Sequence, residues 1–282
     1  MTEKRRFRWP ALALVIALNG YAQDDQVRTR ELWDTNLLNK RPAGRKAEPA
    51  KAPAGVPKDD GFVGITLWRL RPSKPADEQR VRSLIQEESG QREWTPERLT
   101  GDTPLLPGQK VRISVESART GYLYVIDREE YAGGAKGDPY LIFPTLRTRG
   151  GNNRVAAGVL IEIPAADDST PYFTVENTRA DQTGELLTIL VSKEPLAGVS
   201  IGDRRLKLTE AQVEQWEKKW KAKTQRLDAK GQAGKAYTGA EKDAGAGKSQ
   251  LTHDDPVPQT MYRVDAKPGA PLLVEFRLNT KK

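Results

Sequence analysis

The sequence predicts a mainly β fold, an antiparallel sandwich-like domain with one or two peripheral α-helices, and three observations carry that prediction. Short runs of period-two alternation recur from residue 61 onward, as in Val111-Arg112-Ile113-Ser114-Val115-Glu116, where three β-branched residues share one face. Gly, Pro, Asn and Asp separate these runs at hairpin distances, most densely in Gly133-Gly134-Ala135-Lys136-Gly137-Asp138-Pro139. Few helical stretches lie between the runs to serve as crossovers, so the strands pair antiparallel.

In chain order, the first 22 residues read as a secretory signal peptide. Lys4, Arg5, Arg6 and Arg8 form a positive start, Ala11 to Leu18 is an unbroken apolar run, and Gly20-Tyr21-Ala22 places small residues at both recognition positions for cleavage after Ala22. A run of eight apolar residues is far short of the ~20 that cross a bilayer as a helix, so no transmembrane segment is expected in the mature chain. Residues 23–60 read as a disordered linker whose second half, 41–57, is rich in Pro, Ala and Lys and cannot bury enough apolar surface to offset its ordering entropy. A short helix over Thr29 to Leu38, with Leu32, Trp33 and Leu37 as its apolar patch, is the one element that linker offers.

Residues 61–282 read as a single β-rich domain. Phe62 to Leu70 alternates as a strand, and Asp77 to Glu88 reads as a short amphipathic helix because Val81, Leu84 and Ile85 fall at helical spacing. Strands are expected at Val111 to Glu116, Tyr122 to Asp127, Tyr140 to Phe143, Val155 to Ile163, Pro171 to Glu176 and Leu186 to Ser192. A helix over 210–226 is well signed: Thr209 and Gln212 form a capping box, Leu208 and Val213 the hydrophobic staple, and Val213, Trp216 and Trp220 a single stripe. Residues 228–256 are rich in Gly, Ala and Lys and read as a flexible insertion, after which Thr260 to Val264 and Leu272 to Leu278 return as a strand pair.

Composition removes several function classes. There is no cysteine, hence no disulfide, no thiolate metal site, no cysteine nucleophile and no lipoprotein acylation site. Removing residues 1–22 takes away four basic residues and Glu3, leaving a net charge of +5, too mild for a nucleic-acid footprint. His253 is the only histidine, so zinc sites built on several histidines and Ser-His-Asp triads are not expected, and His253 itself reads as an exposed loop residue. Ala244-Gly245-Ala246-Gly247-Lys248-Ser249 resembles the end of a phosphate-binding loop, but Lys242 stands where a glycine is required. No metal and no cofactor are expected.

Three groups of residues could carry a function. Arg147, Arg149 and Arg154 surround the Gly150-Gly151-Asn152-Asn153 turn and suit an anionic ligand through bidentate contacts, against the plainer reading of a charged hairpin tip. Tyr122 and Tyr124, with Tyr131 and Tyr140, could stack on carbohydrate, although sheets are rich in tyrosine for packing reasons alone. Asp127, Glu129, Glu130, Asp167 and Asp168 could supply an acid–base pair, or serve simply as solvated turn carboxylates; they lack calcium-loop spacing.

Gly121-Tyr122-Leu123-Tyr124-Val125-Ile126-Asp127, Leu141-Ile142-Phe143-Pro144-Thr145, Asn153-Arg154-Val155-Ala156-Ala157-Gly158, Ile163-Pro164, Glu185-Leu186-Leu187-Thr188-Ile189-Leu190 and Pro195-Leu196 together resemble the domain of unknown function 4384. The resemblance covers 108–196 and departs at Thr145, where family members often carry asparagine. It implies a bacterial, often exported, β-rich accessory module with no established activity and supplies no catalytic residues. The expectation from sequence is therefore a non-enzymatic binding and interaction module of the bacterial cell envelope, periplasmic or secreted. Its partner would be an envelope protein or an anionic or glycan polymer. The alternative is a hydrolase of envelope glycans using a carboxylate pair.

Overall fold

The computed structural model describes residues 36–44, 61–87, 90–229 and 231–281. The signal peptide, its cleavage position and most of the helix expected over Thr29 to Leu38 lie outside the described residues. Among the described residues the protein is mainly β, 41% strand against 14% helix, in two antiparallel sheets with the α-helices Glu210–Trp220 and Gly239–Gly245 packed against them.

The first sheet is built on β1 (Phe62–Pro72), which is buried on both faces along most of its length. It pairs with β3 (Gly90–Leu99) along the second half of one edge, and β3 in turn pairs with β2 (Ser83–Glu87). On the other edge runs β4 (Lys110–Ser117). The second sheet takes β5 (Gly121–Tyr131), β6 (Tyr140–Phe143) and the short β7 (Arg154–Val155), before the chain returns to pair β8 (Ile161–Ile163) and β9 (Phe173–Thr174) with β4. β10 (Gln182–Ser192) runs beside β5, and β11 (Leu206–Lys207) beside β6. After helix α1 (Glu210–Trp220), β12 (Thr224–Asp228) joins the first sheet through β13 (Thr260–Val264), with helix α2 (Gly239–Gly245) between them. β14 (Leu272–Asn279) closes the second sheet against β10. Chain order and space thus part at the C-terminal end: the last two strands belong to different sheets and tie them together.

The core follows from the alternation. Val63, Ile65 and Leu67 of β1 and Val111, Ile113 and Val115 of β4 face Leu123 and Val125 of β5, Leu187, Ile189 and Val191 of β10, and Val274 and Phe276 of β14. The opposite face of the second sheet is covered by α1. Val213 and Trp216 pack on Tyr124, Ile126, Leu141, Leu190 and Leu273, and Thr209 caps the helix by accepting from the Gln212 N–H at 3.2 Å. The stripe on α1 therefore packs on the sandwich, β14 included.

Four expectations are corrected. The amphipathic α-helix expected over 77–88 does not form among the described residues: Gln79–Val81 makes a single 3-10 turn, and Ser83–Glu87 is a strand, hydrogen-bonded as a hairpin to β3, which buries Ile85 and leaves Leu84 61% exposed. Val81, Leu84 and Ile85 fit a helix by spacing, but the open edge of β3 offers five residues of ladder that a lone helix could not match. The helix expected to reach 226 stops at Trp220, because Thr224–Asp228 pairs with the edge of β13. Residues 36–44 of the expected linker are not free coil. Leu37 is fully buried with Phe62, Ala118, Leu227 and Met261, and the Arg41 guanidinium is clamped on Glu116 at 2.6 and 3.0 Å.

The fourth correction concerns 228–256, whose described residues, 228–229 and 231–256, do not form a loose insertion. It lies across the outer face of the first sheet, where β1, β3, β4 and β8 present Trp68, Arg98, Arg112, Ser114, Glu116 and Glu162, all buried. Its backbone bonds to β3 through Arg98 N–H to Lys235 C=O and Gly234 N–H to Arg98 C=O. α2 opens with a capping box between Thr238 and Glu241, and the Glu241 carboxylate turns inward to the Arg98 guanidinium. Tyr237 meets Trp68 edge-on at 4.8 Å and donates its hydroxyl to Glu162. The glycines are what allow this approach: a Cβ at Gly239 would sit 1.9 Å from the Arg80 guanidinium, and one at Gly245 would sit 2.5 Å from the Glu162 carboxylate. The same small residues that make the segment look structureless let it lie close to a sheet face.

Candidate functional site

The arginine-bearing loops gather at one end of the second sheet. Between β6 and β7 the chain curls through three successive left-handed residues, Arg149 (φ 53°), Gly150 (φ 59°) and Gly151 (φ 81°). Asp168 holds that curl, accepting the Arg149 N–H at 2.8 Å and the Ala165 N–H at 2.7 Å. The 196–205 loop comes alongside through Leu146 N–H to Gly202 C=O at 2.8 Å. A Cβ at Gly151 would lie 3.1 Å from both Leu146 and Ile201, so these two side chains close over the glycine from separate loops. Both remain in water, Leu146 50% and Ile201 41% exposed.

The structure separates the five residues that the sequence proposed for ligand binding. Arg147 is exposed and has no hydrogen bond or ion pair among the described residues. Arg154 and Tyr122 come together, the guanidinium donating to the phenol oxygen at 3.1 Å and lying 5.5 Å from the ring centroid. Arg149 is half-buried and turns toward the end of α2, where it donates to the Gly245 carbonyl at 3.4 Å. Tyr124 is 3% exposed beneath α1, and its hydroxyl accepts from the Leu196 N–H at 3.0 Å. No shared tyrosine platform forms. Tyr131 lies under Arg179 at 4.0 Å and Tyr140 under Arg205 at 4.2 Å, so these rings already carry a cation.

The carboxylates divide in the same way. Glu130 is paired with Arg277 at 2.6 Å, Asp168 serves the turn, and Asp167 is exposed. Asp127 and Glu129 point to the inner face of β5, beyond the last apolar layer, and Glu185 of β10 stands directly across from Glu129. Glu185 was not singled out from sequence. Its signal was its parity with Leu187, Ile189 and Val191, which places an ionisable group on the core side of its strand. Burial, with the Asp127, Glu129 and Glu176 charges around it, pushes Glu185 up to about 8. Burial likewise pushes Asp127 up to about 6, against the opposing pull of Arg205. His253 is half-buried rather than exposed, with Nε2 3.1 Å from the Arg41 carbonyl oxygen. Among the described residues no group of three or more His, Asp or Glu side chains is arranged to hold a metal ion, and no helix is long and apolar enough to cross a membrane. Compared with known proteins, the chain matches no family model, no curated protein and no solved structure.

Proposed function

We propose that the protein is a non-enzymatic, exported binding module of the bacterial cell envelope, of the domain of unknown function 4384 type, which takes an anionic partner on the loops at one end of its second sheet. The observation that carries this reading is the charge of those loops. Residues 144–154 and 196–205 hold Arg147, Arg149, Arg154, Arg204 and Arg205 against the single carboxylate of Asp203. Arg147 and Arg204 are exposed there without an ion pair among the described residues. Two exposed guanidiniums attract phosphate or carboxylate at long range and grip it bidentately on contact. Export rests on the leader features of residues 1–22. The test is binding to polyphosphate as a soluble polyanion: Arg147→Glu with Arg204→Glu lowers affinity about tenfold or more, and added salt weakens the wild type. Unchanged affinity in that double variant refutes the reading.

A second reading is favoured by one specific observation, the Asp127 and Glu185 pair. Asp127 and Glu185 are diagonal cross-strand neighbours, whose positions lie about 7–8 Å apart at the backbone, a spacing from which the two carboxyls can reach the separation that glycoside hydrolysis requires. At neutral pH the pair splits into an ionised Asp127 and a protonated Glu185, the division of labour of a base and an acid. Glycan turnover abolished by Glu185→Gln supports it; absence of turnover across envelope glycans removes it.

A further inference from the structure

We propose that the Leu146 and Ile201 tip docks on the anionic headgroup surface of a lipid bilayer, the two apolar side chains entering the headgroup layer while Arg147 and Arg204 meet lipid phosphates. This rests on the anionic-partner reading above and names the partner. Two independent observations converge on it. The first is apolar exposure in a fixed place. Leu146 and Ile201 come from different loops, yet the Leu146 N–H to Gly202 C=O bond and their shared contact over Gly151 hold them side by side. The other large exposed apolar side chains among the described residues, Leu84 and Leu106, belong to β2 and to the turn before β4 rather than to this tip. The second observation is charge. Five arginines and one aspartate populate the two loops that carry the apolar pair.

A soluble polyanion satisfies the arginines and leaves Leu146 and Ile201 in water. A bilayer surface satisfies both, because anionic headgroups attract basic side chains while the adjoining acyl boundary takes apolar ones to a depth of about 5–10 Å. The loop is built to survive that contact: its curl is tied to the body by Asp168, and Arg149 is anchored on α2 rather than left to rearrange. Two side chains make a shallow insertion, so the association is reversible and falls with ionic strength.

Sedimentation of the leader-processed protein with vesicles tests the proposal, using phosphatidylglycerol mixed with phosphatidylcholine beside phosphatidylcholine alone. Polyphosphate binding is measured in parallel. The expected result is binding to the anionic vesicles only, weakened about tenfold by Leu146→Ser with Ile201→Ser, and weakened as strongly by Arg147→Glu with Arg204→Glu. Polyphosphate binding is expected to follow the arginine variant and to ignore the serine variant. Vesicle binding that ignores Leu146→Ser with Ile201→Ser overturns the proposal. So does absence of vesicle binding while polyphosphate still binds through Arg147 and Arg204, an outcome that leaves the anionic-partner reading standing. Failure to bind either probe overturns both.

Discussion

Replacing Trp216 with alanine measures how far α1 is part of the fold. Trp216 is 9% exposed, packed against Tyr124, Ile126, Leu190 and Leu273, and stacked on Trp220 at 6.0 Å with 15° between planes. A buried tryptophan withdraws about 200 Å² from water, which at ~25 cal/mol per Å² is ~5 kcal/mol of transfer free energy. Alanine recovers part of that, and the half-buried Trp220 next to it can shift into some of the space. The expected cost is therefore ~3–5 kcal/mol, the range for deleting a buried large aromatic. Trp220→Ala, at the helix end, costs less. The assay is denaturant unfolding of both variants beside wild type, read as the change in midpoint at constant slope. A midpoint shift near zero for Trp216→Ala would refute the reasoning, because it would mean that the helix contributes nothing to the stability of the sheet face it covers.

Two further outcomes follow from the buried charges. Glu185 and Asp127 are held above the ordinary carboxylate range in the folded protein, so the fold binds their protons more tightly than the unfolded chain does. Stability therefore rises as pH falls from about 9 to about 5, and the slope flattens in Glu185→Gln; thermal unfolding across that window checks it, and an unchanged slope in the variant contradicts the assignment. Glu241→Ala strands the buried Arg98 guanidinium and removes the α2 capping box, with an expected cost of ~3–5 kcal/mol. Tryptic cleavage at Lys235, Lys242 or Lys248 should accelerate with it, whereas Arg98→Met with Glu241→Leu restores most of the protection; an unaltered cleavage rate in Glu241→Ala would show that the ion pair does not hold the segment down.

By itself the sequence determined which residues form the sandwich interior. Alternation over two residues is a local property, and it marked Val111, Ile113 and Val115, the Tyr122 to Asp127 run, Thr260 to Val264 and Leu272 to Leu278 without reference to any partner strand. The Thr209 cap likewise placed the start of α1, since its hydrogen bond from the Gln212 N–H closes within one turn, although the reciprocal Gln212 half of the expected capping box does not form. What the tertiary structure decided was every choice settled by a distant partner. Ser83–Glu87 became strand because β3 had an edge to fill, and the helix yielded to β12 because β13 had another. Residues 231–256 became ordered because Arg98, Arg112 and Glu162 lie on the sheet face beneath them, more than 60 residues away in sequence. The candidate surfaces divide on the same line. The arginine turn was legible as a charge run, but that Arg149 would leave it, that Leu146 and Ile201 would meet there, and that Glu185 would stand across from Glu129 are consequences of strand pairing and loop contact. No one-dimensional pattern carries those, because a charge or an apolar side chain acquires its chemistry from the groups that folding sets beside it.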